Sequence, residues 1–233
     1  MFVGIDGYIN GWCCCIIQEN IRIELHKNLN NLFETIGTNN LTLIDIPLGL
    51  SSKNFKRSID FNLRTHLPKN KKSSVFTAPC REAVLSSDYS SAKEANKIIT
   101  KRSISIQSWN ISKKIKEADE FLSSNIENKF LIHESHPEFC FINLNNNKPL
   151  LFNKKTKDGF EERVSILSNY EKQISFIVED FFKKNKKEMV KKDDILDSIA
   201  LAITSKKWKK NGSRIIKQSP ENDELGIPFE IYY

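Results

Sequence analysis

No stretch of about 18 consecutive apolar residues occurs in the chain, so no membrane-spanning helix and no membrane partner is expected. The opening MFVGIDGYINGW has no basic segment followed by an apolar one, so it reads as a first strand, not a secretory signal, and the expected location is cytoplasmic. Cysteine is used in a way that fits neither a disulfide framework nor a zinc CxxC pair: Cys13, Cys14 and Cys15 are consecutive, and Cys80 and Cys140 stand alone. These five read as small hydrophobes in a reducing compartment. Glycine is scarce, and Gly4, Gly7 and Gly11 match neither GxGxxG nor the P-loop, which removes the common nucleotide cradles. No GxSxG elbow supports nucleophilic hydrolysis. His133 and His136 frame an HExH spacing, not the HExxH that sets two imidazoles on one helical face. On a strand, His133 and Glu134 point to opposite sides. No internal repeat is visible.

What is present is an ordinary globular composition. Of 233 residues, 39% are hydrophobic and 28% charged, enough apolar side chains to build a core without staples. Lys+Arg exceeds Asp+Glu by 36 to 29, a formal charge of +7. That surplus permits contact with nucleic acid without requiring it. The run Lys206-Lys207-Trp208-Lys209-Lys210 reads more simply as a solvated helix end with one anchoring Trp than as a nucleic-acid contact.

Apolar periodicity predicts strands over Phe2–Asp6, Trp12–Gln18 and Ile21–Leu25, the last two joined by a tight turn at Glu19-Asn20. A helix over 28–36 leads to a fourth strand, Leu41–Ile46, expected to lie parallel to the first. Residues 51–127 are polar, lysine-rich and mostly helical in pattern, read as an insertion within one domain spanning 1–233. A fifth strand is expected at Phe130–Glu134, then helices over 138–144, 159–168, 171–184 and 193–205, and a terminal strand over 227–233. This order suits an α/β fold with a ribonuclease H-like mixed five-stranded sheet flanked by helices.

Acidic residues fall where such a sheet would gather them. Asp6 ends the first strand, Asp45 the fourth and Glu134 the fifth, and Asp194 and Asp197 lie one turn apart on the last helix. The carboxyl ends of parallel strands are where α/β sheets hold ligands. Several buried carboxylates repel one another, and a hard cation, Mg²⁺ or Mn²⁺, relieves that repulsion. Two such ions about 3.5–4 Å apart suit phosphodiester hydrolysis. Each residue also has a plain structural use: a turn at Asp6, a backbone amide for Asp45, an ion pair with Arg81 for Glu134, a helix cap at Asp193. Asp197, in mid-helix, has no cap role.

Several segments together resemble a known family: VGIDGYINGW, DIPLGL at 45–50, SVFTAPCR at 74–81, QSWNISKKIKEAD at 107–119, HESHPEFCF at 133–141, KKTKDGFEER at 154–163, DDILDSIALA at 193–202 and DELGIPFEI at 223–231. In this order they resemble domain-of-unknown-function family 429, usually described as predicted ribonuclease H-like nucleases. The resemblance implies that fold with an inserted helical region, and a metal-dependent nuclease with Asp6, Asp45 and Asp194 or Asp197 as metal ligands. Glu134 enters as a ligand or water-positioning base. Tyr8 and Ile9 depart from the smaller or basic residues that the family commonly has in the first turn. In the inserted region, Arg64 and Arg81 are candidates to grip phosphate, and Gln107 and Trp109 to read or stack a base, or else all four pin the insertion in place. The competing readings are an actin-like phosphotransferase or ATPase, for which a second such domain is missing, a non-catalytic nucleic-acid-binding module, and a hydrolase of small phosphoesters.

Overall fold

The computed structural model describes residues 1–233, apart from the side chain of Ile126. The chain opens with strands Phe2–Tyr8 (β1), Gly11–Ile17 (β2) and Ile21–His26 (β3), then helix Leu29–Ile36 (α1) and strand Leu41–Ile44 (β4). Helices Ile59–His66 (α2), Arg81–Val84 (α3), Tyr89–Thr100 (α4), Ile106–Asn110 (α5) and Ser112–Ser124 (α6) follow, with 3₁₀ turns at Lys69–Ser74 and Ile126–Phe130. Strand Ile132–Glu134 (β5) precedes helices Pro137–Leu144 (α7), Lys157–Ser168 (α8), Ile174–Lys184 (α9) and Lys192–Asn211 (α10), and strands Ile215–Asn222 (β6) and Pro228–Tyr232 (β7) end the chain.

The main sheet has the order β3-β2-β1-β4-β5; β1, β2 and β3 are successively antiparallel, and β4 runs parallel to β1. This mixed five-stranded sheet with flanking helices is the ribonuclease H-like α/β arrangement expected. Among the described residues no helix is long and apolar enough to cross a membrane. The chain divides into two compact units, 1–45 with 135–214 and 232–233, and 46–134 with 215–231. The region 51–127 lies within the second unit.

In the first unit, α10 is buried on every side from Ile195 to Ser205, as a helix apolar all round must be. Its buried hydroxyls are satisfied within the helix: Ser198 donates to Ile195 O at 2.8 Å and Thr204 to Ala200 O at 2.8 Å. The helix lies against β1 because β1 offers no side chain at Gly4. A Cβ there would stand 2.0 Å from the Ser198 carbonyl oxygen and 2.3 Å from Ala202 N. The small cysteines serve the same packing. Cross-strand partners share a face, so Gly4, Asp6, Cys13 and Cys15 lie together, and Cys13 Sγ meets Ser198 Oγ at 3.6 Å. Burial pushes the thiols of Cys13, Cys14 and Cys15 up, which keeps them protonated and inert.

Helix α10 runs past Ser205 to Asn211, where Gly212 at φ +80° stops it. Trp208 in this extension packs on Tyr232 with ring centroids 4.5 Å apart, so the aromatic ring anchors while Lys206, Lys209 and Lys210 stay exposed. Strand β6 had no counterpart in the periodicity: IIKQSPEN is mostly exposed and carries no apolar alternation. In the second unit, Gly49 at φ +73° turns the chain beside Phe229, with a Cβ position 3.1 Å from that ring. Asp223 fastens this turn by accepting from Leu50 N, Leu225 N and Ile227 N at 3.1, 2.9 and 2.9 Å.

Candidate functional site

Strand register sets the first two carboxylates side by side. The parallel pairing of β1 and β4 ends at Ile5 opposite Ile44, and the ladder continues with Asp45 N donating to Ile5 O at 2.9 Å. Asp6 and Asp45 are the next residues along. Asp6 is two residues short of the end of β1, and its Oδ1 accepts from Gly7 N at 2.7 Å. Gly4, two residues back on the same face, admits α10, and that close approach brings Asp197 to the same place. Asp197 is 3% exposed.

The cation in this group is Lys154. Its Nζ lies 2.7 Å from Asp197 Oδ2 and 3.7 Å from Asp193 Oδ2. The loop that carries it is built tightly: Thr156 caps α8 by accepting from Gly159 N at 3.1 Å, and Thr156 N donates to Asn153 O at 3.0 Å. Only glycine fits at position 159, since a Cβ would stand 1.9 Å from Asn153 O. Asp194, by contrast, serves the start of α10, accepting from Lys191 N at 3.0 Å. The helix begins at Lys192, so Asp193 lies in its first turn and is not the capping residue.

Burial raises the Asp6 carboxyl well above the ordinary range, and the charges of Asp45 and Asp197 push it further, against a pull from Lys154. Asp197 is raised by burial despite Lys154. Asp194 is raised by burial as well. Burial disfavours the Lys154 charge, but Asp197, then Asp6 and Asp45, outweigh it and hold the ammonium protonated. The cluster gathers the carboxyl groups of Asp6, Asp45, Asp193 and Asp197 around a single ammonium. Its donors are all carboxylate oxygens, which suits a hard divalent cation. The side chains group around Lys154: among the described residues, no three His, Cys, Asp or Glu side chains stand in ready-made metal-ligand geometry. An ion would have to draw the carboxylates in from this spacing.

Beside the cluster lies a hollow of about 510 Å³ lined by Lys154, Lys155, Lys157, Lys191, Lys192 and Asp193, among others. Lys192 Nζ sits 4.8 Å from the centre of the Phe160 ring. This concentration of cations attracts anions.

Glu134 belongs to a different network, in the second unit. Its Oε1 accepts from Arg57 Nη2 at 2.6 Å, and its Oε2 from Arg57 Nη1 at 2.9 Å and Leu48 N at 2.7 Å. Its partner is therefore Arg57, not the Arg81 suggested by sequence. Arg57 also holds Asp60 Oδ1 at 2.6 Å and the Leu48 carbonyl at 2.6 Å. Burial works against the Arg57 charge, but Asp60 and Glu134 more than restore it. Arg81 is ringed by Asp119, Asp223 and Glu224 at 2.8, 2.5 and 2.8 Å, so its donors are spent on carboxylates. Arg64 donates to Val75 O at 2.9 Å and Thr77 Oγ1 at 3.1 Å. Trp109 packs against the core of Cys80, Ala83 and Ala92, and Gln107 is exposed. His133 is held neutral, its imidazole pushed down to about 4 by burial.

The structure thus brings together Asp6, Asp45 and Asp197, keeps Asp194 near enough to raise Asp6 while it serves the start of α10, and engages Glu134 elsewhere. Lys154 and Arg57 were not singled out from sequence. The signal for Lys154 was present in KKTKDG, a threonine cap followed by glycine in the first turn; for Arg57 it was the Arg-x-x-Asp spacing to Asp60.

The model of the DUF429 family, described as a protein of unknown function, matches residues 4–224. No curated protein and no solved structure matches the chain. The chain belongs to the DUF429 family.

Proposed function

We propose that this member of the family is a divalent-cation-dependent hydrolase of nucleic-acid phosphodiesters, with Asp6, Asp45 and Asp197 as its metal-binding residues. The observation that carries the reading is the raised Asp6 carboxyl, crowded by Asp45 and Asp197 with Lys154 as the cation beside them. Buried, mutually repelling carboxylates are costly to folding, and sites that keep such groups are enriched in function.

When bound, Mg²⁺ or Mn²⁺ supplies an activated water and neutralises charge on the phosphate oxygens. The protein's own part is to hold the three carboxylates on rigid elements, two strand ends and a buried helix. Until an ion replaces it, the Lys154 ammonium supplies the counter-charge of Asp197 through its 2.7 Å contact. The neighbouring lysine hollow gives the polyanion a place to lie, and its attraction weakens with salt. Glu134 has no part in this scheme, because both its oxygens are held by Arg57 and the Leu48 amide.

The test is Mn²⁺ titration followed by calorimetry, with an anomalous-diffraction map of a Mn²⁺-soaked crystal. A Mn²⁺ peak among Asp6, Asp45 and Asp197, lost in Asp45→Asn, is the expected result, and it directs a panel of single- and double-stranded DNA and RNA substrates. No binding at millimolar Mn²⁺, with Asp45→Asn less stable than the parent, would return the cluster to a structural role. Salt-dependent binding of nucleic acid that survives Asp45→Asn without cleavage would make the chain a binding module.

A further inference from the structure

A second cavity lies wholly within the second unit and takes no part in the carboxylate cluster. It encloses about 510 Å³, within the range of small-molecule sites. Two features of its wall differ from an ordinary surface dimple. The first is aromatic: Phe61, a residue 63% exposed, lines it, and Phe55 stands half-buried beside it. A largely exposed Phe at a cavity wall offers a free π-face.

The second feature is charge. Six cations line the cavity, Lys53, Lys56, Arg57, Arg64, Lys101 and Arg102, against a single carboxylate, Asp60. That carboxylate is already engaged, Oδ1 by Arg57 at 2.6 Å and Oδ2 by Ala78 N at 2.9 Å. Arg57 is matched by Asp60 and Glu134, and Lys101 Nζ caps the Ile98 carbonyl at 2.9 Å. Lys53, Lys56 and Arg102 are exposed and have no carboxylate among the lining residues to neutralise them. Lys53 is presented by a tight turn in which Ser52 N donates to Phe55 O at 2.8 Å. The floor is satisfied internally, and the rim is cationic with aromatic walls.

We infer that this cavity binds a nucleotide unit, its base against Phe61 and its phosphate among Lys53, Lys56 and Arg102. An anionic group alone would need only the rim, and an apolar ligand alone would not suit the charge. A flat ring bearing a phosphate uses both. The unit can come as a free mononucleotide or as one residue of a single strand, and the two sources share this chemistry.

The experiment is isothermal titration calorimetry of the full chain with AMP, with a short oligodeoxyadenylate and with inorganic phosphate. Phe61→Ala and Arg102→Ala remove exposed side chains, and unchanged melting temperatures verify that both variants fold. The expected result is binding of AMP, the oligonucleotide or both, weakened about tenfold by each variant, the size of one stacked base or one phosphate contact. Asp45→Asn should leave this binding unchanged, which separates it from the carboxylate site. AMP binding marks a free-nucleotide site, and oligonucleotide binding without AMP binding marks a strand site. No binding of either at millimolar concentration overturns the inference. So does phosphate binding as tightly as AMP with no effect of Phe61→Ala, or binding that disappears in Asp45→Asn but survives both cavity variants.

Discussion

Lys154 Nζ and Asp197 Oδ2, 2.7 Å apart and 43 residues apart in sequence, join the loop before α8 to the buried face of α10. The contact makes Lys154 the resident cation of a carboxylate cluster. Lys154→Met should therefore destabilise the fold at neutral pH by about 1–2 kcal/mol, the lower part of the range for a charged hydrogen bond. The low end applies because the lysine side chain is 39% exposed and partly screened. Thermal melts with and without Mn²⁺ are the measurement. Under the proposed function, Mn²⁺ should stabilise Lys154→Met more than the parent, since an ion no longer competes with the ammonium for Asp197.

The pH dependence follows from the raised carboxyls. A group whose folded pKa lies above its unfolded value stabilises the fold at low pH and loses that contribution as pH rises through the folded pKa. Asp6, Asp197 and Asp194 are all raised, with burial the leading cause. Stability should thus fall as pH rises above the ordinary carboxylate range and these groups ionise. Asp6→Asn removes the largest part of this loss. Its melting temperature should exceed the parent's at neutral pH, by about 2–4 °C for each kcal/mol recovered, and match it at acidic pH. A lower melting temperature at neutral pH would show that the Asp6 charge is needed by the fold.

Gly4→Ala tests how the site is assembled. The added methyl would stand 2.0 Å from the Ser198 carbonyl and 2.3 Å from Ala202 N, both backbone atoms of a helix buried on every side. Neither can yield as a flexible side chain would. The expected cost is about 3 kcal/mol or more, at the upper end for overpacking. Chemical denaturation measures it, and any folded fraction should bind Mn²⁺ less tightly, because α10 can no longer bring Asp197 up to β1.

Much of this was legible in the sequence for physical reasons. Strands β1 to β4 declare themselves by apolar runs and turns, and their connections fix Asp6 and Asp45 at neighbouring strand positions. Asp197 stood out because a carboxylate in an apolar mid-helix stretch has no local use. What periodicity cannot see is partner choice. Glu134 has the same sequence signature as Asp45, a carboxylate at the end of a strand, yet Arg57 holds both of its oxygens. Lys154 is one of many lysines and is distinguished only by where a glycine-dependent loop delivers it. Strand β6 is polar and exposed, so nothing in its pattern separates it from a loop.

The Arg57 network gives the sharpest contrast with the carboxylate cluster. Arg57 has both of its terminal nitrogens and its Nε bonded to Asp60, Glu134 and the Leu48 and Gly49 carbonyls, with its side chain 1% exposed. Arg57→Met would leave two buried carboxylates without their counter-charge. A loss of about 3–5 kcal/mol is expected, the usual result of removing one partner of a buried ion pair. Glu134→Gln should also lower the melting temperature, because the neutral amide leaves Arg57 under-compensated and turns a donor toward it. Neither change should alter Mn²⁺ affinity in the folded protein, whereas Asp45→Asn should abolish Mn²⁺ binding without destabilising the fold. Calorimetric Mn²⁺ titrations of the three variants, read beside their melting temperatures, decide the matter. Loss of Mn²⁺ binding in Glu134→Gln at an unchanged melting temperature would restore Glu134 as a metal ligand, and the Arg57 pair would then be a resting arrangement that the ion replaces.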